Sequence, residues 1–299
     1  MRIVSLLPSA TEIICSLGLR EQLVGVSHRC DYPPEVQGAA VVTRRMETPG
    51  ASVQGLARDD ELGPAELDRE ALLQCRPDLI FVRDGGKGLG SRQLEAALVG
   101  AEVSPTIVSL DPVSFEGVFH AVTTIGAMTE TEDDAMELVE SLREELGELE
   151  QQVLARQDQG RRPRRVAVLQ GLTPLAASGR WVPEQVRRSG GWDLLGREGE
   201  AAALTSWEAV LEVDPQMLMI APSGMTLIEA KAAWARVELP DFWAQLEAVR
   251  RKFVFILDPV YFCRPGPRLI GGVGMLAEIF DPEAFVDTSP DNSWTLGVE

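Results

Sequence analysis

Short apolar runs alternate with helical patterns through the first third of the chain. Arg2–Leu7 reads as a strand, Ala10–Leu17 as a helix stopped by Gly18, and Leu23–Ser27 as a second strand. Glu70–Cys75 has helical spacing, Pro77 restarts the chain, and Asp78–Val82 and Thr106–Leu110 read as further strands. Strands that alternate with helices in this way predict parallel pairing, with helices packed on the faces of the sheet.

The rhythm breaks between Ser114 and Gln157, where no strand pattern occurs. Within Thr131–Gln157, Val139, Leu142, Leu146, Leu149 and Val153 step by three and four residues, forming one stripe of a helix. The other faces carry Glu132, Asp133, Asp134, Glu137, Glu140, Glu144, Glu145 and Glu148. At about 1.5 Å per residue such a helix is roughly 40 Å long, the length of a spacer between two bodies. Strands then resume after the polar stretch Gln159–Arg165, with Arg165-Val166-Ala167-Val168-Leu169 echoing Arg2-Ile3-Val4-Ser5-Leu6.

A longer repeat accompanies that echo. Glu70-Ala71-Leu72-Leu73, Pro77 and Leu79-Ile80-Phe81-Val82 recur as Glu208-Ala209-Val210-Leu211, Pro215 and Met217-Leu218-Met219-Ile220, 138 residues later (70 to 208). So long a spacing is no solenoid period. It predicts two similar parallel-sheet α/β lobes, residues 1–112 and 161–299, joined through a helical region at 113–160 by one long rigid helix. Ligands of such lobes sit beyond the carboxyl ends of the strands. That selects the loops Pro8–Thr11, Ser27–Tyr32, Arg83–Lys87, Gly171–Trp181, Pro222–Met225 and Val260–Arg268, with the ligand between the lobes.

Charge narrows the function. A net charge of −18, from 46 acidic and 28 basic residues, repels phosphate backbones and anionic lipid. Nucleic acid is therefore not an expected partner. No run approaches the ~18 apolar residues of a membrane span, so no membrane insertion is expected. The apolar start Ile3–Leu7 meets Pro8 too soon for a signal of about 7–15 apolar residues. The chain as written is expected in the cytoplasm, or in the periplasm or at the cell surface if translation begins upstream. Cys15, Cys30, Cys75 and Cys263 are scattered, which suggests neither a zinc cage nor a disulfide framework.

The selected loops hold the candidate chemistry. Ser9 and Glu12 have the spacing of a capping box, and the exposed amides of the helix that opens at Pro8-Ser9 also suit a ligand oxygen. Ser27, His28 and Tyr32 would line a binding site; His28 and Cys30, two residues apart, would share a face as base and nucleophile, with no third orienting group evident. His120 is the only other histidine, so a free metal ion lacks ligands. Arg83 and Gly85 open a glycine loop that lacks the G-x-x-x-x-G-K-[ST] spacing and suits close backbone approach instead. Tyr261, Phe262 and Arg264 lie on a proline-stiffened loop that suits a large planar ligand with polar edges. Trp181 and Trp207 are further wall, or core. With no G-x-S-x-G, H-E-x-x-H or G-x-G-x-x-G, no catalytic residues and no catalytic cofactor are expected. The reading is a monomeric binding protein rather than an enzyme.

Arg2–Glu12, Val24–Ser27, Asp31–Pro34 and Arg76–Leu79 resemble the cobalamin-binding members of the helical-backbone periplasmic-binding superfamily. So do Ser178-Gly179, Gly190-Gly191 and Arg264–Arg268, which extends the resemblance over nearly the whole chain. It implies a corrinoid, a cobalamin-like small molecule, captured between two lobes. In transporter-linked members one glutamate per lobe docks onto arginines of an ABC permease, and Glu70 and Glu208 stand at those positions; as first-turn helix charges they are also favoured by the helix dipole. Arg83-Asp84 replaces an aromatic of the secreted members, and Cys263 replaces an acidic residue. Haem and iron–siderophore ligands therefore stay open, as does a cytoplasmic corrinoid-handling enzyme using His28 or Cys30.

Overall fold

The computed structural model describes residues 1–46, 65–84 and 89–298. They fall into two compact units, the first made of 1–46, 65–84, 89–112 and 116–141, the second of 113–115 and 142–298.

The first unit carries β1 (Ile3–Ser5), α1 (Pro8–Ser16), β2 (Leu23–Val26), β3 (Ala40–Val41), β4 (Thr43–Arg45), β5 (Ala65–Leu67), α2 (Arg69–Cys75), β6 (Leu79–Val82), α3 (Ser91–Leu98) and β7 (Thr106–Ser109). Its sheet has the order β3-β2-β1-β6-β7, parallel throughout, while β4 and β5 pair as a separate antiparallel ribbon. Every residue of β1 and β6 is buried, as strands covered on both faces require. Val4, Leu6, Leu72, Ile80, Val82 and Leu94 form one core cluster, and fully burying an aliphatic side chain of this size contributes about 1.5–3 kcal/mol. Next come α4 (Phe115–Thr129) and α5 (Glu132–Asp158). They approach so closely at Gly126 that a Cβ there would lie 2.4 Å from that of Ala135.

The second unit repeats the plan. Its elements are β8 (Arg164–Leu172), β9 (Leu175–Ala177), β10 (Gly179–Arg180), α6 (Val182–Arg188), β11 (Gly191–Asp193), β12 (Arg197–Glu198), α7 (Trp207–Val213) and β13 (Met217–Ile220), then α8 (Leu227–Trp234), α9 (Glu247–Arg250), β14 (Val254–Leu257), α10 (Val260–Cys263), α11 (Leu269–Phe280) and β15 (Trp294–Leu296). The sheet order is β11-β8-β13-β14-β15, with β15 antiparallel to β14 and β9 folded antiparallel on β8. Leu169, Val210, Leu218, Ile220, Val254 and Ile256 lie in its core.

The 138-residue repeat is structural down to its hydrogen bonds. Asp68 caps α2 by accepting from the Ala71 amide at 3.0 Å, and Ser206 caps α7 by accepting from Ala209 at 3.2 Å. Both helices end in a left-handed residue, Arg76 at φ 43° and Asp214 at φ 38°, followed by a proline. At the foot of each sheet the first strand is tied alike to the turn between a helix and the neighbouring strand, α2–β6 in one unit and α7–β13 in the other. The Arg2 amide donates to Asp78 Oδ2 at 2.7 Å, and the Asp78 amide returns a bond to the Arg2 carbonyl. The Arg165 amide donates to Gln216 Oε1 at 3.1 Å, and Gln216 returns the bond in the same way. The Arg2 side chain then reaches the Cys75 carbonyl and that of Arg165 the Val213 carbonyl, so both arginines satisfy last-turn carbonyls of a helix.

One local expectation is overturned. Ser9 and Glu12 form no capping box: α1 begins at Pro8, with Leu7 as an N-cap that makes no side-chain bond. Proline at the first helical position loses no hydrogen bond and is pre-set in φ, and this preference moves the helix start one residue ahead of the serine. Ser9 and Glu12 are buried instead, at 4% and 3% exposure.

Candidate functional site

Each unit presents its own set of loops at the carboxyl ends of its strands. In the first unit the chain leaves β2 through Ser27, whose amide donates to the Ser5 carbonyl at the end of β1. Ser27 is 1% exposed, and its hydroxyl lies 3.2 Å from Cys30 Sγ. The Thr11 hydroxyl sits 2.9 Å from Ser5 Oγ and 3.0 Å from the same sulfur. Cys30 Sγ in turn reaches the Ser5 carbonyl at 3.8 Å. Ser5, Thr11, Ser27 and Cys30 are thus one hydroxyl–thiol network that closes the top of β1.

His28 is turned away from that network. Its amide donates to Thr43 Oγ1 on β4 at 3.0 Å, and its Nδ1 lies 2.8 Å from the same oxygen. Thr43 is 3% exposed, so the ring is held by a buried hydroxyl while remaining only partly covered itself. Burial lowers the imidazole pKa, and the Arg29 and Arg45 charges lower it further, which favours the uncharged ring. The ring's partner is Thr43 rather than Cys30, so the thiol–imidazole pair of an activated nucleophile is not assembled.

Tyr32, 43% exposed and joined to Pro33 by a cis peptide bond, offers the broad aromatic face of this unit. Arg83, beyond β6, pairs with Asp111 at 2.7 Å and is itself largely covered, so its charge is already answered within the unit. Pro8 is buried with Ser9. Gly85 lies outside the described residues.

In the second unit the loop chemistry is inverted: the aromatics are mostly interior. Trp181 is 3% exposed and donates its indole N–H to the Phe262 carbonyl at 2.7 Å. Phe262 is fully buried, and the Tyr261 carbonyl accepts from Gln185 Nε2 at 2.9 Å. These bonds fasten α10 to α6. Tyr261 keeps partial exposure, with the Arg268 guanidinium 6.0 Å from its ring centre, and Arg264, the residue after α10, is likewise partly exposed. Cys263 accepts from Ser223 Oγ at 3.3 Å and from Gln170 Nε2 at 3.6 Å. Trp207, wall or core by its sequence, packs edge-on against Trp243 and Trp234 beside the core. Nothing in the local sequence pattern marks Gln170, Gln185 or Thr43.

Glu70 and Glu208 are exposed second residues of α2 and α7. The Glu208 carboxylate is held below its ordinary pKa by a first-turn backbone amide and by the Ser206 hydroxyl. Among the described residues no group of three or more His, Cys, Asp or Glu side chains is placed to hold a metal ion.

The family model for periplasmic binding proteins matches residues 3–261. The chain belongs to that family. Its fold is the two-lobe, parallel-sheet α/β fold of these proteins. It is 26% identical to the uncharacterised ABC transporter substrate-binding lipoprotein YvrC of Bacillus subtilis, over 95% of this chain and 81% of the relative. It is 25% identical to the vitamin B12-binding protein of Pectobacterium atrosepticum, over 90% of this chain and 84% of the relative. Among solved structures, a periplasmic haem-binding protein from Pseudomonas aeruginosa superposes with a TM-score of 0.72 at 24% identity, over 94% of this chain and 93% of that one. No helix of the described residues is long and apolar enough to cross a membrane.

Proposed function

We propose that this periplasmic binding protein captures a corrinoid and presents it to the permease of an ABC-type importer. The observation that carries the reading is the pair Glu70 and Glu208. Each is an exposed carboxylate at the second position of a helix that is capped, ended and tied to its sheet in the same way in both units. Two matched acidic points, one per unit, suit a permease built with two-fold symmetry. Relatives spanning 90% of the chain bear the name vitamin B12-binding protein, which supports a corrinoid as cargo. Tyr32, Tyr261 and Arg264 supply part-exposed aromatic and guanidinium surface suited to a broad macrocycle with amide edges. On this reading the protein works outside the cytoplasmic membrane.

The test is a calorimetric and spectroscopic titration with cobalamin, cobinamide, haem and a ferric siderophore. One-to-one binding of a corrinoid, with haem and siderophore silent, is the expected result. Binding of haem or siderophore alone would overturn the cargo and keep the role. With the cognate importer, Glu70→Ala and Glu208→Ala are expected to leave cargo affinity unchanged and to abolish stimulation of ATP hydrolysis.

A further inference from the structure

His28 is more tightly placed than a residue that merely lines a wall needs to be. A free metal ion requires about four protein donors, and the described residues offer no cluster of even three. A metal that arrives inside a macrocycle already has its equatorial nitrogens, so the protein has to supply one axial donor only. Such a donor needs one ring nitrogen fixed by a hydrogen bond and the other left to face the metal.

His28 has its Nδ1 held in this way. Nδ1 and the residue's own amide both address Thr43 Oγ1, at 2.8 and 3.0 Å, so one buried oxygen holds both the ring and the backbone of His28. With Nδ1 engaged by Thr43, Nε2 is the ring nitrogen left for a metal, and ligation through it requires the tautomer in which Nδ1–H donates to Thr43 Oγ1. The ring follows the carboxyl end of β2, four residues before the exposed Tyr32 ring. The other histidine, His120, sits exposed on α4, where its carbonyl accepts from Thr123 and Thr124.

We infer that His28, oriented by Thr43, is an axial ligand through Nε2 to the cobalt of the bound corrinoid. This rests on the corrinoid reading above and adds to it a single protein–metal bond. The bond forms by donation of the Nε2 lone pair into an axial position of cobalt, displacing water, with no change of oxidation state.

The experiment uses the full-length protein and cobinamide, which lacks a lower base of its own, reduced to the cobalt(II) state. Calorimetry first establishes binding; electron paramagnetic resonance of the complex then reads the axial ligand. Coupling to one nitrogen is expected, and its pattern is expected to change when the protein is made with isotope-labelled histidine. The coupling is expected to persist in His120→Ala and to vanish in His28→Ala. The labelling arm needs no variant, so a His28→Ala chain that fails to fold leaves the answer intact. Cobinamide binding without histidine-nitrogen coupling, or coupling that survives in His28→Ala, would overturn the inference and leave the corrinoid reading standing. No binding of cobinamide or cobalamin at all would overturn both.

Discussion

At the amino ends of their sheets the two units use the same knot. An arginine at or just before the first strand, Arg2 or Arg165, donates its amide to the side chain of the residue after a proline, accepts that residue's amide on its carbonyl, and reaches back to a carbonyl of the helix before the proline. At the carboxyl ends they part company. The first unit presents a small hydroxyl–thiol network, a fixed imidazole and an exposed tyrosine. The second buries its tryptophan and phenylalanine and spends their polar atoms on fastening one helix to another. The repeated end holds the strands in register, a task with one good solution. Ligands of parallel α/β sheets sit at the carboxyl ends of the strands, and loops that serve different contacts there have no reason to be alike.

The core tests the likeness most strongly. Ile80 and Leu218 stand 138 residues apart in matching strands, and both are fully buried. Ile80→Ala and Leu218→Ala should each cost about 2–5 kcal/mol, from lost burial plus the cavity left behind. Urea denaturation followed by tryptophan fluorescence and by far-ultraviolet dichroism would check this. Similar losses support equivalent packing, whereas a loss confined to one site would show that the repeat is one of chain path alone.

Much of this likeness was legible in the sequence. The glutamate, the proline seven residues on and the four-residue apolar strand mark both copies, because a helix stop and a buried parallel strand each leave a local signature. The long helix was equally plain, with Thr131–Gln157 expected and Glu132–Asp158 found. What escaped was of two kinds. At Ser9 two local preferences competed, and proline at the first helical position outweighed serine as a cap. Elsewhere the deciding contact was non-local: Thr43 lies fifteen residues from His28, and Phe262 eighty-one from Trp181. No periodicity encodes such pairs. The sequence puts His28 and Trp181 on loops that follow strands, yet it leaves open that one is held by Thr43 and partly exposed while the other is buried and bonded to Phe262.

A buried carboxyl sharpens the contrast at the sheet edge. In the first unit β3 flanks β2, whereas in the second β11 is the edge and ends at Asp193. Asp193 accepts from the Leu195 and Gly196 amides, each at 3.1 Å, and from the Ser178 hydroxyl. Burial pushes its pKa up, against these bonds, which pull it down. A raised folded pKa means that the folded state keeps a proton the unfolded chain releases. The associated stability is therefore full at acid pH and is lost as pH rises through the folded value. Asp193→Asn keeps an oxygen for both amides and gives Ser178 an amide donor, without a charge to bury. Relative to wild type, the variant should gain stability as pH rises from acid to neutral, measured by thermal unfolding across that range. A difference independent of pH would place the ionised form at no disadvantage in the folded protein.

The smallest expected effects test the caps. Asp68 and Ser206 each accept from the amide three residues on, at 3.0 and 3.2 Å, and each precedes the helix that carries one of the exposed glutamates. Asp68→Ala and Ser206→Ala should each cost about 0.5–2 kcal/mol, the usual loss when a helix amide is left without its side-chain acceptor. Asp68 also brings a negative charge to the positive end of the helix dipole, which the serine does not. Added salt should therefore shrink the loss at Asp68 more than the loss at Ser206, since screening weakens the charge and spares the hydrogen bond. Thermal unfolding at low and high ionic strength would measure both losses. Equal salt dependence at the two positions would mean that the two caps, built from different residues, act through the hydrogen bond alone.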